Sequence, residues 1–269
     1  KLLNERSQIR KEYGADINII SKSEALKIDP NINNKIKCAA FCEMDGYVSA
    51  NQTGDAYTKA LKENNVEIIE NFKVSKINNS NNNYEIIDAH GKKINAKKIV
   101  LATGVYLEKI LKLLDIEIKI KCFPQQLIVT ERMSELLKTV ITVAHGKLSL
   151  KQFENGTVLI GGGWPGKGNI ENGYNETIPE NLIGNMRLAC HAIPNLKNSR
   201  VSRVWLGLEA ETDDAMPIIG ELPNLENAFI IGSIHSGYTS GPYMGKLLSE
   251  KILGKDVDLS LFDIRRLMN

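Results

Sequence analysis

The sequence predicts an α/β (α+β) fold, in which a mostly parallel sheet carrying an inserted three-stranded meander is interleaved with a domain built on an antiparallel sheet. Three observations carry this. Near both ends of the chain, helix-spaced apolar residues alternate with short apolar strands, the rhythm of βαβ units. Between Phe72 and Ala96 the period drops to two, with polar turns every few residues. In the middle third, Asn155-Gly156 joins two alternating runs as a hairpin turn does. The interleaving predicts one domain from residues 1–48 and 117–203, and another from residues 49–116 and 204–269.

Residues 1–29 read as a helix running into a loop, with Ser23-Glu24-Ala25-Leu26 as a capped turn before the Asp29-Pro30 break. Lys37 to Phe41 is a short strand, followed by the Asp45-Gly46 turn. Ala56, Tyr57, Ala60 and Leu61 share one side of a helix over Asn51–Asn64, and Val66-Glu67-Ile68-Ile69 then reads as a buried strand. The meander strands are Phe72–Ile77, Tyr84–Ala89 and Lys92–Ala96, with turns at Asn78–Asn83 and His90-Gly91. Lys98 to Ala102 is a buried run ending at Thr103-Gly104.

Beyond Gly104, a helix over Leu107–Leu114 precedes Pro124 and a strand over Gln126–Glu131. The hairpin strands are Leu148–Phe153 and Thr157–Gly161. Pro179 opens a helix reaching Ile193, at a position where its missing N–H is no loss. From Val204 onward come a strand, a polar turn, a short apolar strand closed by Gly220, and the buried strand Ala228–Gly232. A loop rich in Gly and Ser, Ser233–Pro242, leads into a helix over Tyr243–Leu253.

Composition narrows the function classes. Apolar residues at 42% and charged residues at 25% describe an ordinary globular chain and exclude collagen-like, disordered and disulfide-stapled classes. The net charge of +2 forms no patch, so no nucleic-acid partner is expected. Cys38, Cys42, Cys122 and Cys190 are too scattered for a disulfide framework and suit a reducing compartment. Cys38 and Cys42 lack the second close pair that a tetrahedral ion needs, so no metal site is expected. No apolar run is long enough to cross a bilayer, and the stretch from Lys1 to Arg6 is too polar for a signal peptide; the expected location is cytoplasmic. The first residue is Lys rather than Met, which points to a processed, cleaved or truncated product.

Gly161-Gly162-Gly163-Trp164-Pro165-Gly166 satisfies the spacing G-x-G-x-x-G after a strand. Pro165, Gly166, Gly168 and Gly173 prevent the helix whose amides would face a pyrophosphate, so the stretch reads as a glycine-rich strand end. The loop between Gly232 and the last helix is different. It gathers free backbone N–H groups at the positive end of a helix dipole, a place suited to an anionic or carbonyl-rich group.

Four segments in register carry a resemblance. Trp205-Leu206-Gly207-Leu208 runs on through Asp214 and Pro217-Ile218-Ile219-Gly220 to Gly232-Ser233-Ile234-His235-Ser236-Gly237. Asp45-Gly46-Tyr47-Val48-Ser49, Ile99-Val100-Leu101-Ala102-Thr103-Gly104 and Pro124-Gln125-Gln126-Leu127 are the other three. Together they resemble the D-amino-acid-oxidase-like FAD-dependent oxidoreductases. That family includes glycine and sarcosine oxidases and the flavin subunits of opine, proline and hydrogen-cyanide-forming dehydrogenases.

The resemblance covers nearly the whole chain and implies a Rossmann-like FAD-binding domain interleaved with a substrate domain. The implied chemistry is oxidation of the C–N bond of an amino acid or secondary amine, by hydride transfer to flavin N5. It implies that Gly232 and the amides of Ser236, Gly237, Tyr238 and Thr239 meet the flavin ring, and that Ala102, Thr103 and Gly104 approach the phosphates or ribose. Val74 would meet the adenine. His235 becomes the catalytic candidate, and Tyr47 and Glu209 the substrate-binding candidates. Tyr106 and Tyr243 are further candidate pocket walls.

Plainer readings stand beside these. The loop serves equally as a helix start with no ligand, Gly104 as a tight turn, Val74 and the tyrosines as core, and Asp214 as a turn former. Two departures bear on function. The chain has no strand–G-x-G-x-x-G–helix unit, so the alternative is a non-catalytic fragment, or a subunit whose cofactor site is completed by a missing N-terminal segment or a partner chain. Glu209 also stands where glycine oxidase-like members carry an Arg for the substrate carboxylate, and a Glu cannot make that pair.

Overall fold

Helix α1 (Leu2–Glu12) turns at Gly14 into strand β1 (Ile17–Ser21), whose last residue caps helix α2 (Lys22–Ile28). The Ser21 hydroxyl accepts from Glu24 N at 3.3 Å, and the Ser21 N–H donates to Glu24 Oε2 at 2.7 Å, a capping box. The cap is therefore Ser21 rather than Ser23. Strand β1, expected as loop, forms because β2 (Cys38–Cys42) pairs antiparallel with it, Ile17 opposite Cys42 and Ser21 opposite Cys38. The structure, a computed structural model, describes residues 1–80, 83–171 and 175–268. The chain divides into two units. The first holds Lys1–Ser49, Pro124–Gly168 and Tyr174–Gly207; the second holds Ala50–Phe123, Asn169–Gly173 and Leu208–Asn269.

The second unit opens with α3 (Ala50–Glu63), none of whose residues is buried. Residues 66–69, expected as a strand, join no ladder among the described residues, and Val66 and Ile68 are exposed. Apolar spacing alone does not make a strand; a neighbour must take up its N–H and C=O groups. The meander forms as expected from β3 (Val74–Ser80), β4 (Asn83–Asp88) and β5 (Lys93–Ala96), in that order, with Ile77 opposite Ile86 and Ile86 opposite Ile94. Of the Asn78–Asn83 turn, residues 81 and 82 lie outside the described residues. Asp88 Oδ1 closes the His90-Gly91 turn by accepting from His90 N and Lys92 N, both at 2.8 Å. Strand β6 (Ile99–Leu101) leads through Ala102-Thr103 into a short helical turn and α4 (Leu107–Leu111).

Strands β8 (Ile141–Thr142), β9 (Ser149–Gln152) and β10 (Val158–Pro165) of the first unit form one sheet with β7 (Lys121–Thr130) and β13 (Val201–Glu211), of which residues 124–130 and 201–207 belong to that unit; the order is β13-β7-β10-β9-β8. The hairpin between β9 and β10 turns at Asn155-Gly156, with Asn155 Oδ1 accepting from Thr157 N at 3.0 Å. Strand β10 continues through Gly161-Gly162-Gly163 with a register shift between Ile160 and Trp164, so the glycines end a strand and start no helix. Gly173 lies outside the described residues. Two-residue strands β11 (Lys167–Gly168) and β12 (Asn175–Glu176) pair nearby. Helix α5 (Pro179–Ala192) packs on β10, where a Cβ on Gly184 would stand 2.7 Å from the Trp164 ring, and Asn185 Nδ2 donates to Gly161 O at 3.0 Å. Ile128, Leu150, Val158, Ile160, Ala189 and Leu196 are this unit's buried core.

The second unit closes with β14 (Ile218–Glu221), β15 (Ala228–Gly232) and α6 (Gly237–Ile252). The sheet order is β14-β15-β6, antiparallel in the first pair and parallel in the second, with Ile230 beside Leu101. Its core gathers Tyr84, Leu101, Leu107, Leu111, Ile218, Ile230 and Ile264, and the buried Tyr84 hydroxyl donates to Glu226 O at 2.7 Å. Strand β6 ends the sheet, with Val100 46% exposed. The sequence places the start of α6 at Tyr243, yet the helix starts six residues earlier, because Ser236 in the left-handed region (φ +59°) turns the chain directly into it. Pro242 sits inside the helix, where it forgoes a bond to the Tyr238 carbonyl.

Candidate functional site

Strands β6 and β15 lie side by side and parallel, so the loops that follow them leave the same end of the sheet. The first loop holds Ala102, Thr103 and Gly104; the second holds Ser233, Ile234, His235 and Ser236. Gly232 lets the end of β15 approach the start of α4, since a Cβ there would stand 2.5 Å from Leu107 Cδ2. Gly104 adopts φ +54° with open space around its Cα. At the base of the two loops, Thr103 Oγ1 and Ser233 Oγ are buried and have no hydrogen-bond partner among the described residues. Leaving a buried hydroxyl unsatisfied costs about 1–3 kcal/mol, a reason to look for what it would bond.

Helix α6 starts over the second loop. Its hydrogen bonds begin with Thr239 N and Ser240 N, both donating to Ser236 O at 2.9 and 3.1 Å. The amides of Gly237 and Tyr238 come before that first bond, at the positive end of a helix of 16 residues. Ser233 and Ser236 both adopt left-handed φ values, +50° and +59°, which non-glycine residues hold only where the surroundings enforce it. Ser236, Gly237, Tyr238 and Thr239 are all exposed, and nothing lies within 4 Å of where a Cβ would stand on Gly237 or Gly241.

A set of ion pairs lies in the same unit. His235 Nδ1 is 2.7 Å from Glu209 Oε1, Lys121 Nζ is 2.6 Å from Asp213 Oδ1, and Arg266 Nε is 2.7 Å from Asp214 Oδ2. The Asp213 carboxylate raises the pKa of Lys121. The Arg266 guanidinium, then the Thr212 hydroxyl and Met216 N–H, hold the Asp214 carboxyl well below the ordinary carboxylate range despite some desolvation. Asp214 Oδ1 accepts from both Thr212 Oγ1 and Met216 N, so Asp214 shapes the turn before Pro217 as a turn former does.

The remaining candidates fall as follows. Val74 begins β3 opposite Asp88, at a register shift, and Ser75 Oγ donates to Asp88 O at 2.8 Å. Tyr47 lies in the first unit, its hydroxyl donating to Gln152 O at 2.9 Å and its ring edge-on to Phe153. Tyr106 and Tyr243 are exposed, not core. Two participants escape a reading of the sequence. Ser233 carries no signal beyond its neighbours, and Arg266, in the last turn of the chain, gives no hint of a partner fifty-two positions earlier. The first unit also contains a cavity of about 1580 Å³ between β2 and residues 137–144. The buried and unpartnered atoms Asp29 Oδ1 and Ser7 Oγ belong to residues that line it. Among the described residues no cluster of His, Cys, Asp and Glu is arranged to hold a metal ion.

Parallel strand ends, a loop that runs from one of them into a helix start and orphaned hydroxyls at the loop bases are the arrangement of an α/β protein suited to a nucleotide cofactor. The chain belongs to the DAO family, described as FAD dependent oxidoreductase, whose model matches residues 1–251. Among curated relatives it is 28% identical over 238 residues to HcnC of the hydrogen cyanide synthase of Pseudomonas protegens, covering 85% of this chain and 55% of that protein. It is 27% identical over 252 residues to the glycine oxidase of Bacillus subtilis, covering 88% and 63%. Among solved structures, glycine oxidase from Geobacillus kaustophilus superposes with a TM-score of 0.87 at 19% identity, covering 99% of this chain and 71% of that one. L-proline dehydrogenase from P. horikoshii gives 0.84 at 24%, covering 95% and 70%. The fold is therefore that of this family, and the chain spans 55 to 64% of the length of the first curated relatives it matches.

Proposed function

We propose that this chain forms the larger part of an FAD-dependent oxidoreductase acting on the C–N bond of an amino acid or a secondary amine. One observation carries the reading: Thr103 Oγ1 and Ser233 Oγ are buried without partners among the described residues, at the base of two loops that share one end of a parallel sheet. The donor set fits a flavin dinucleotide in part. The Gly237 and Tyr238 amides and the α6 dipole suit the electron-rich edge of the flavin ring, and Ala102, Thr103 and Gly104 suit its ribose or phosphates. Gly232, at the end of β15, would stand beside the flavin ring, and Val74 would take the adenine.

When bound, the flavin supplies the two-electron acceptor, with N5 receiving hydride from the carbon that bears nitrogen. The chain's own residues would orient and polarise. Amides before the first α6 hydrogen bond stabilise negative charge developing on the ring, and the left-handed Ser236 fixes their direction. His235, exposed on the loop, is the catalytic candidate; Glu209 and Tyr47 are the substrate-binding candidates. Relatives from opine oxidase of Rhizobium meliloti and sarcosine oxidase of Arthrobacter are each named as one subunit of their enzyme, which supports assembly with a partner chain. The four free cysteines, Cys38 exposed among them, support a cytoplasmic setting; among the described residues no helix is long and apolar enough to cross a membrane.

The test is direct. The purified protein, titrated with FAD, should quench flavin fluorescence and develop a structured visible band. No binding up to millimolar FAD would overturn the reading for this chain.

One observation favours a second reading, in which a further polypeptide completes the site. Strand β6 stands at the edge of its sheet with Val100 bare, and no strand–G-x-G-x-x-G–helix unit occurs among the described residues to cradle a pyrophosphate. Native mass spectrometry of the protein purified from its source separates the readings. A heavier species that alone retains flavin identifies the completed site, and a yellow species of this mass supports the first.

A further inference from the structure

We propose that Glu209 and His235 act as a pair that selects the nitrogen end of the substrate: Glu209 positions the imidazole, and together they offer hydrogen-bond acceptors to an amine. The inference rests on reading the site as one that oxidises an amine or amino acid. A carboxylate only accepts, so its 2.7 Å contact places the proton on Nδ1 of His235. In a neutral imidazole, Nε2 is then left as an acceptor, and it has no partner among the described residues. The second carboxylate oxygen of Glu209 has none among them either.

The surrounding charges sharpen the consequence. Asp213 is matched by Lys121 and Asp214 by Arg266, and Glu211 is near enough to Lys121 to raise the lysine's pKa. Among the described residues, Glu209 has only an imidazole. With that ring neutral, the pair carries one negative charge and offers two acceptors on side chains 31% and 62% exposed for Glu209 and His235. A substrate ammonium or secondary amine satisfies both atoms, whereas a carboxylate at the same point meets acceptors and a like charge. The pair therefore admits a substrate nitrogen first, and the positive amides at the start of α6 remain for the cofactor's anionic edge. Glu209 thus has two parts in this pair, fixing the imidazole through one carboxylate oxygen and accepting from the substrate nitrogen with the other.

The experiment uses the 269-residue protein without flavin, so the fate of the flavin reading does not decide it. Long-range nitrogen–proton correlation spectra of the histidine rings, at about pH 8 where ordinary imidazoles are neutral, report the tautomer of His235, assigned by loss of its signal in His235→Gln. The wild type should show Nδ1–H. Glu209→Leu should shift the ring toward Nε2–H, and Glu209→Gln, which keeps an acceptor, should restore Nδ1–H. Methylammonium chloride should move the His235 signals in the wild type and sodium acetate should not. Both variants should weaken the methylammonium response by about tenfold, an ordinary effect for one lost charged contact. An Nε2–H ring in the wild type, or a response to acetate equal to that for methylammonium, would overturn the proposal. If Glu209→Leu loses its folded spectrum, Glu209→Gln decides on the charge-dependent response alone.

Discussion

Arg266 Nε donates to Asp214 Oδ2 at 2.7 Å, and Nη2 of the same guanidinium donates to Met216 O and Pro217 O at 2.9 and 3.0 Å. Its Nη1 donates to Phe262 O and Asp263 O at 2.8 and 2.9 Å. One side chain from the end of the chain therefore spans its own last turns and the turn that feeds β14. Arg266→Ala leaves these acceptors to water, and the partly exposed setting keeps the effect moderate. The expected loss is about 1–3 kcal/mol, read as a lower urea midpoint with an unchanged slope.

The same contact sets an acid dependence. Asp214 is depressed in the folded state, so its ionised form stabilises the fold fully above the ordinary aspartate pKa of about 3.9. That stabilisation fades as pH falls toward the lower folded value. The thermal midpoint of the wild type should therefore drop more steeply between about pH 5 and pH 2 than that of Asp214→Asn. Parallel melting curves in the two proteins would contradict the assignment.

Thr103→Val separates a structural hydroxyl from one awaiting a ligand. Its Oγ1 is buried without a partner among the described residues, so the flavin-free protein should keep or gain stability, by up to about 1 kcal/mol. FAD affinity should fall severalfold in the same variant. Calorimetric melting and FAD titration of one preparation give both results.

Gly232→Ala tests the close approach between the end of β15 and the start of α4. The added methyl would meet Leu107, which is fully buried and has little room to move. A loss of about 1–3 kcal/mol is expected, with Leu107→Ala in the same chain recovering part of it. Additive losses in that double-mutant cycle would place the contact elsewhere.

Much of the fold can be read locally, because its signals are local. Asn155-Gly156 fixes a hairpin by its own backbone preference, Pro179 opens α5, and the short apolar run Ala228–Gly232, bounded by turn residues, reads as a buried strand. What the sequence misplaces depends on partners. Ile17–Ser21 becomes a strand because β2 lies beside it, and Val66–Ile69 does not because nothing described pairs with it. The candidate site divides similarly. Gly237 and the serines around it show in the composition, whereas the contact of Glu209 with His235, the orphaned Ser233 hydroxyl and the reach of Arg266 arise only when distant segments meet.

Pro242 gives the helix that starts at Gly237 a loosely stitched leading end. Without a donor at that position the bond from residue 242 to the Tyr238 carbonyl is missing, so residues 237–241 can fray while the helix beyond them stays closed. Exchange with deuterated solvent should empty the leading amides well before those of Leu247 and Leu248. A guest that needs those amides must first quiet them, and the entropy lost weakens its hold. Restoring the missing donor with Pro242→Ala should slow that exchange and tighten the grip on FAD together.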